Sequence, residues 1–339
     1  MGQHNCKRCK KSLVSKIIFR RDHFIRREII SVLSFEQDDG QRHVTTILNL
    51  HHRWKKLKHE KHCSEALERR MLHHAAKLCY YWWLSNSNLV CQVLYRIYRL
   101  ESHFPIVYNH VVTNGEPQTD DWPIPIARCN VEPNEYARII YFLRHANNCK
   151  MTINGVRFPD LPTSSVSWLP PWISAVLKSK PTLLQLLLQH GSILESDNDL
   201  PVDICKYYSN PSHYFRNTIS MLWSNNINSL STEYIVNDEQ LQRSILIIKL
   251  LLRIIPQLQP RDLRFRIVDM TEIRSFVSDL SERGIICNLR ERYWRPSELR
   301  HLCRCVIRRH LRKMWKLPLG IFQLPLPNRL RKYLNLEDD

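Results

Sequence analysis

Glycine and acidic residues are both scarce in this chain. It has seven glycines among 339 residues. It contains 32 Asp and Glu but 50 Lys and Arg, which gives a formal net charge of +18. So few glycines cannot supply the turns of a long, regular repeat array. The positive charge attracts nucleic acid and acidic protein surfaces alike, so it does not choose between them.

Long hydrophobic runs are also missing. The longest, SILIIKLLLRII at 244–255, is interrupted by Lys249 and Arg253, so it falls short of the roughly 20 apolar residues that cross a bilayer. The first residues, MGQHNCKRCKK, lack the apolar core of a secretion signal. We therefore expect a soluble protein with no membrane association, in the cytoplasm and also in the nucleus.

The cysteines do not form a disulfide framework, because eleven of them are scattered without regular spacing. Cys6 and Cys9 have the spacing of half a zinc site, yet zinc-finger spacing is missing from the nearest further ligands, His59, His62 and Cys63. Myristoylation of Gly2 is the other N-terminal alternative, but Cys6 stands where the motif has Ser or Thr. We predict reduced thiols, no metal and no cofactor.

Signatures of catalysis are missing as well. The sequence contains no G-x-G-x-x-G, no G-x-x-x-x-G-K-[ST], no H-E-x-x-H and no G-x-S-x-G. We therefore predict no catalytic residues and a non-enzymatic role.

Apolar periodicity predicts helices after a basic, poorly periodic N-terminal region, 1–63. A helix pair is expected at 64–84 and 89–100, and a further helix at 134–146. Residues 170–192 read as two short helices with Pro181 in the first turn of the second and Gly191 as its stop. Another helix is expected at 238–255.

The segment 295–315, RPSELRHLCRCVIRRHLRKMW, predicts a strongly amphipathic helix. Leu299, Cys303, Ile307 and Leu311 are four residues apart and share a face with Leu302 and Val306. Arginines at 300, 304, 308 and 312 form the neighbouring stripe, and such i,i+4 like charges repel. Nothing within the helix itself relieves that repulsion.

The segment LPLPNRLRKYL at 324–334 follows two residues after the short run LGIF. Pro325 and Pro327 fix their own backbone and force Leu324 and Leu326 into extended geometry. A last helix then places Leu330, Tyr333 and Leu334 on one face. We expect a preset surface, because prolines lower the ordering cost of binding.

These two segments resemble known motifs. LRHLCRCVI has the L-x-x-x-C-x-x-x-I frame of an elongin-binding BC box, here 298–307, and LPLPNRLRKYL resembles a cullin-5 box at 324–334. In this order they resemble a SOCS box at 295–339. Because 170–192 also resembles one ankyrin repeat, the chain resembles the ankyrin-repeat and SOCS-box family.

The resemblance implies an all-α fold, in which a degenerate ankyrin-like helix-pair array at 64–260 and a connecting segment at 261–294 precede a three-helix SOCS box. It implies an adaptor that brings an unidentified protein substrate to a cullin-5 RING ubiquitin ligase. Elongin C, with elongin B, would be bound by Leu299, Leu302, Cys303, Val306 and Ile307. Cullin-5 with its RING subunit would be bound by Leu324, Pro325, Leu326, Pro327, Leu330, Tyr333 and Leu334.

Two alternatives stay open at the level of sequence. The basic ends and the patch around Trp54 fit a nucleic-acid-binding protein, although residues 81–260 carry equal numbers of basic and acidic side chains. A scaffold that binds elongin without cullin is the other alternative, and co-purification of cullin-5 distinguishes it.

Overall fold

A computed structural model describes residues 37–56, 61–104, 106–108, 136–163, 169–192, 238–256, 278, 282 and 297–338. The chain divides into two compact units. In the described residues, the first unit consists of helices α1 (Gln37–Lys56), α2 (Lys61–Tyr81) and α3 (Ser87–Glu101). The predicted pair α2–α3 is confirmed, and α1 was not predicted.

Helix α1 was not predicted because its buried face includes residues other than large apolar ones. The buried positions are Gly40, Val44, Leu48 and His51, which follow helical spacing. A side chain at Gly40 would meet Trp82 Cγ at 2.8 Å, so glycine allows the close contact there. Apolar periodicity therefore identifies only half of this stripe.

Polar side chains fix the two ends of α3. The backbone N–H of Leu89 donates to Asn86 Oδ1 at 3.2 Å, which caps the start of the helix. At the other end the buried Glu101 pairs with Arg69 at 2.7 Å and with His73 at 2.9 Å. These contacts tie α3 to α2 within the first unit.

In the second unit, α4 (Ala137–Asn148) confirms the helix expected at 134–146. A small hairpin follows, with β1 (Thr152–Ile153) antiparallel to β2 (Val156–Arg157) and Ile153 opposite Val156. Its turn residues Asn154 and Gly155 both have positive φ, as a tight hairpin turn requires.

The helix pair predicted at 170–192 is present as α5 (Pro171–Leu177) and α6 (Pro181–Gln189). Each helix has proline in its first turn, where a missing N–H costs nothing. Gly191 ends the pair with φ +86°, a conformation that favours glycine. The buried side chains that join these helices are Trp172, Ile173, Leu183, Leu184, Leu187 and Leu188.

The remaining described helices are α7 (Asp238–Leu252), α8 (Leu299–Lys313), α9 (Leu319–Phe322) and α10 (Asn328–Leu334). Helix α7 packs against α6. Because the two strands are two residues long and every other element is helical, the described residues confirm the all-α class. The three C-terminal helices also agree with the predicted SOCS-box architecture.

Candidate protein-docking surface of the C-terminal helices

Helices α8, α9 and α10 share a small core of their own. Its buried members are Leu311, Leu317, Ile321, Tyr333 and Leu334, and the half-buried Ile307, Leu324 and Leu326 pack against it. Each of the three helices contributes at least one buried side chain to this cluster. It therefore fixes their mutual arrangement.

The inward face of α8 is cationic rather than apolar. Its buried residues are His301, Arg304, Arg308 and Leu311, and Arg304 is 1% exposed. The apolar stripe predicted for α8 is divided between two environments, because Leu311 is buried whereas Leu299 is exposed. Leu311 and the half-buried Ile307 pack in the C-terminal core. Of the arginine stripe, Arg304 and Arg308 are buried and Arg300 is exposed.

His301 connects α8 to the end of α7. Its Nε2 lies 2.8 Å from the carbonyl oxygen of Ile255, and its Nδ1 lies 3.1 Å from a guanidinium nitrogen of Arg304. Since a carbonyl accepts and a guanidinium donates, the ring carries its proton on Nε2. One neutral imidazole thus links the Arg304 charge to the main chain at Ile255.

Arg308 satisfies two carbonyls that are far apart in sequence. It donates to Leu334 O at 2.6 Å and to Leu188 O at 2.5 Å. Leu334 O belongs to the last residue of α10, where helical carbonyls lack partners within the helix. Leu188 O lies near the end of α6 and also accepts a hydrogen bond from the backbone N–H of Gly191 at 3.0 Å. Burial, and next the charge of Arg304, lower the pKa of Arg308 to about 9. The side chain remains charged near neutral pH and joins three helices.

The ring of Tyr333 lies between two arginines of α8. The guanidinium carbon of Arg300 is 4.0 Å from the ring centroid and that of Arg304 is 4.1 Å away. Such cation–π contacts stabilise cations that are removed from water. The repulsion within the arginine stripe is thus relieved by groups outside the helix: Tyr333 for Arg304, and two carbonyls for Arg308.

The C-terminal turn is held by side chains from α6 and α7. Gln189 donates to Asn335 O at 2.9 Å, Gln185 to Leu336 O at 3.0 Å and Arg253 to Leu336 O at 2.7 Å. The carbonyls of the turn that follows α10 are therefore bound by residues more than eighty positions earlier in the chain. No sequence motif predicts that these three side chains bind the C-terminal turn.

A second set of contacts joins the end of α8 to α4 and the hairpin. Asn147 donates to Leu317 O at 2.9 Å, and the guanidinium carbon of Arg157 lies 3.8 Å from the ring centroid of Trp315. Burial lowers the pKa of Arg157 to about 10, although Asp160 favours its charged form. Two sets of contacts thus hold the C-terminal helices against the helical region. One set involves α6 and Arg253, and the other involves α4 and the hairpin.

The outward face of α8 is apolar and exposed. Leu299 is 77% exposed, Val306 60% and Leu302 36%, and Cys303 is also exposed. Four of the five predicted elongin-binding residues therefore lie together on the solvent face, at positions i, i+3, i+4 and i+7. The fifth, Ile307, is half-buried against the C-terminal core.

The residues predicted to bind cullin are divided between the surface and the interior. Pro325, Pro327 and Leu330 are exposed. The half-buried members, Leu324 and Leu326, pack on the C-terminal core, and Tyr333 and Leu334 belong to it. The segment 323–327 between α9 and α10 is non-helical, which agrees with the geometry expected from its prolines. Direct cullin contact by these residues stays a prediction.

Three further apolar side chains are exposed in this region and were missed by the motif comparison. Met314 is 44% exposed, Leu319 55% and Phe322 44%. Seven of the eleven exposed large hydrophobic residues in the described part of the chain therefore lie between 299 and 330. This concentration is typical of a protein-docking surface. Helical spacing from Val306 would have identified Met314.

Other predicted features can be placed only in part. Within the described residues, no group of His, Cys, Asp and Glu has the arrangement of a metal site. The candidates Gly2, Cys6 and Cys9 lie outside the described residues, and the side chains around Trp54 and at 59–63 lie outside them too. Nor does any described helix combine the length and apolarity that a bilayer crossing requires.

The comparisons with known proteins agree with the two motifs. The family model of the SOCS box matches residues 295–335, the segment that contains α8, α9 and α10. The chain is 46% identical over 79 residues to ankyrin repeat and SOCS box protein 17 of Canis lupus familiaris, covering 21% of this chain and 27% of that protein. The predicted resemblance to a SOCS box is confirmed.

A longer match is found with ankyrin repeat and SOCS box protein 17 of Bos taurus. It is 30% identical over 179 residues, covering 51% of this chain and 52% of that protein. The human protein of the same name is 43% identical over 76 residues, 21% of this chain and 25% of its own length. The matches thus span about half or less of the relatives' length. No solved structure matches the chain.

Proposed function

We propose that this chain is a substrate-recognition adaptor of a cullin-RING ubiquitin ligase. In this proposal the outward face of α8 binds elongin C, and with it elongin B, and the segment 324–334 recruits cullin-5 with its RING subunit. The helical region within 64–260 holds a protein substrate. The SOCS-box match at 295–335 and the similarity to proteins named for ankyrin repeats and a SOCS box support this assignment.

One structural observation carries the elongin part of the proposal. The inward face of α8 is held by Arg304, Arg308 and His301, whereas the apolar side chains Leu299 and Val306 face solvent on the same rigid helix. A helix that is already ordered loses little conformational entropy when a partner covers its apolar face. The arrangement therefore suits a permanent binding partner that removes these side chains from water.

The proposed role needs no chemistry from this chain. Transfer of ubiquitin would occur on the conjugating enzyme that the RING subunit brings, and the adaptor would raise the effective concentration of substrate lysines near it. Because α8–α10 are joined to α4, α6 and α7 by directed hydrogen bonds, a substrate bound to these helices would keep a defined position relative to elongin.

Co-purification with elongins B and C tests the proposal. Leu299→Ala together with Cys303→Phe removes one apolar side chain and overfills the position beside it, which should abolish recovery of elongin. Leu246→Ala, at an exposed leucine on α7, serves as the matched control and should leave recovery unchanged. Full elongin recovery by the double variant, with an unchanged helical circular dichroism spectrum, would contradict the proposal.

The cullin step is tested separately. The elongin-loaded chain should co-elute with cullin-5 and its RING subunit in size-exclusion chromatography. The scaffold alternative predicts a stable elongin complex that leaves cullin-5 in its own peak. Since both outcomes require elongin binding, this measurement separates the two functions.

A further inference from the structure

The solvent face of α10 differs from the apolar face expected of a protein-binding helix. Tyr333 and Leu334 point into the C-terminal core, and Arg331 is half-buried. The exposed residues of α10 are Asn328, Arg329, Leu330 and Lys332, of which only Leu330 is apolar. A partner that covers α10 from solvent therefore meets positive charge before it meets the tyrosine.

A third cation extends this side. Arg300 is exposed, and its guanidinium carbon lies 4.0 Å from the ring centroid of Tyr333. Arg329 and Lys332 are both exposed and lie three residues apart, so they are neighbours on the surface of α10. We call Arg300, Arg329 and Lys332 the cationic surface.

Few carboxylates are available to balance the cationic surface. Residues 297–338 contain ten Lys and Arg but only Glu298, Glu337 and Asp338 as acids. Glu337 accepts a hydrogen bond from Asn335 Nδ2 at 2.6 Å. Within the part of the chain that the structure describes, Arg329 and Lys332 form no ion pair. Residues 297–338 therefore carry seven more basic than acidic side chains.

We propose that the cationic surface docks on an acidic patch of the cullin subunit. The inference rests on the proposed function, since it concerns the same C-terminal segment, and it adds the chemistry of the partner's surface. Exposed Pro325, Pro327 and Leu330 lie beside the cations in sequence and supply apolar contact. Charge pairs around such a contact steer association and fix its register.

The alternative occupant of a cationic surface is nucleic acid. Single-stranded nucleic acid is bound where cations accompany aromatic rings on which bases stack. Here the aromatic ring is that of Tyr333, which is 6% exposed and covered by Arg300 and Arg304. A base has no open ring to stack on, so the structure favours an acidic protein surface.

The test measures binding of the full elongin-loaded chain to purified cullin-5 with its RING subunit. Arg329→Glu with Lys332→Glu reverses two charges of the cationic surface. The matched control, Arg144→Glu with Lys178→Glu, reverses two exposed cations on α4 and after α5 and makes the same change in net charge. We expect the first pair to lower the association rate about tenfold or more and the control to stay within about twofold of wild type.

Salt provides a second readout. Binding by the wild-type chain should weaken markedly between about 50 and about 500 mM salt, because exposed charge pairs are screened, and the Arg329→Glu, Lys332→Glu variant should show a flatter dependence. Equal association rates for that variant and its control would overturn the inference while leaving the cullin proposal intact. Failure of the wild-type chain to bind cullin-5 would overturn both.

Oligonucleotide binding distinguishes an acidic protein surface from nucleic acid as the partner of the cationic surface. A labelled oligouridine should bind the two charge-reversed proteins equally weakly. Binding that Arg329→Glu with Lys332→Glu removes and the control retains, together with unchanged cullin association, would assign the cationic surface to nucleic acid and contradict the proposal.

Discussion

The guanidinium of Arg308 donates a hydrogen bond to the main-chain oxygen of Leu188, 120 residues earlier in the chain, at 2.5 Å. Its second bond, to Leu334 O, is 2.6 Å long. A single buried side chain thereby joins the C-terminal helices to the helix pair α5–α6. It does so from the side of α8 that faces away from the proposed elongin surface.

We expect Arg308→Leu to lower the free energy of unfolding by about 2–4 kcal/mol, because two carbonyls lose a charged donor in a buried site. The exposed neighbour Arg309 provides the control, and Arg309→Leu should change the free energy by less than about 0.5 kcal/mol. Urea unfolding followed by tryptophan fluorescence measures both. Equal unfolding midpoints for the two variants would show that Arg308 does not join the helices energetically.

Acid should destabilise the second unit through His190. Burial, and next the charge of Arg157, lower the pKa of His190 to about 4, from an ordinary 6.5. The unfolded chain therefore binds more protons between these values, and stability present above pH 6.5 is lost as the pH falls toward 4. The contribution amounts to at most about 3 kcal/mol.

His190→Gln should accordingly show a smaller loss of stability than wild type when unfolding is compared at about pH 7 and about pH 4.5. His310→Gln, at an exposed histidine on α8, should lose as much as wild type. Burial also lowers the pKa values of His74 and His145 to about 4, so part of the acid sensitivity should remain. An unchanged acid response in His190→Gln would contradict the prediction.

The helices were largely predictable because their apolar spacing is local information. Apolar residues recur at helical spacing in α3, α6 and α7, and prolines and a glycine mark the ends of α5 and α6. Helix α1 was missed because Gly40 and His51 fill positions that a periodicity search expects to be large and apolar. The buried face of α1 can be recognised only from the structure, in which Trp82 packs on Gly40.

The sequence predicted which side chains of α8 share a face, but not which way that face is turned. Helical spacing grouped Leu299, Cys303 and Val306 on one face, and all three are exposed in the structure; their contact with elongin stays a prediction. The spacing could not show that Arg304 and Arg308 face inward, because their partners are carbonyls and a tyrosine ring elsewhere in the chain. A stripe of like charges in a helix predicts that groups elsewhere stabilise it, but the helix sequence does not say which groups these are.

The two prolines of the last segment should matter for cullin alone. Pro325→Ala with Pro327→Ala keeps every apolar side chain but lets the backbone extend α10. Reordering should cost roughly 1–2 kcal/mol for each residue fixed, so cullin-5 affinity should fall about tenfold or more. Elongin affinity should stay at the wild-type value.

Pro181→Ala, at the first turn of α6, is the control for the proline pair and should leave cullin-5 affinity unchanged. Surface plasmon resonance with the elongin-loaded proteins measures both variants. Wild-type affinity in the double variant would mean that Pro325 and Pro327 only separate α9 from α10.

The affinity of purified elongin B/C for the full chain, measured by isothermal titration calorimetry, tests the central claim most directly. The outward face of α8 predicts that Leu299→Ala weakens binding by about 2 kcal/mol or more, roughly 30-fold. Leu246→Ala, at an exposed leucine away from α8, should bind as tightly as wild type. Equal affinities for Leu299→Ala, Leu246→Ala and the wild-type chain would contradict the assignment of this face to elongin.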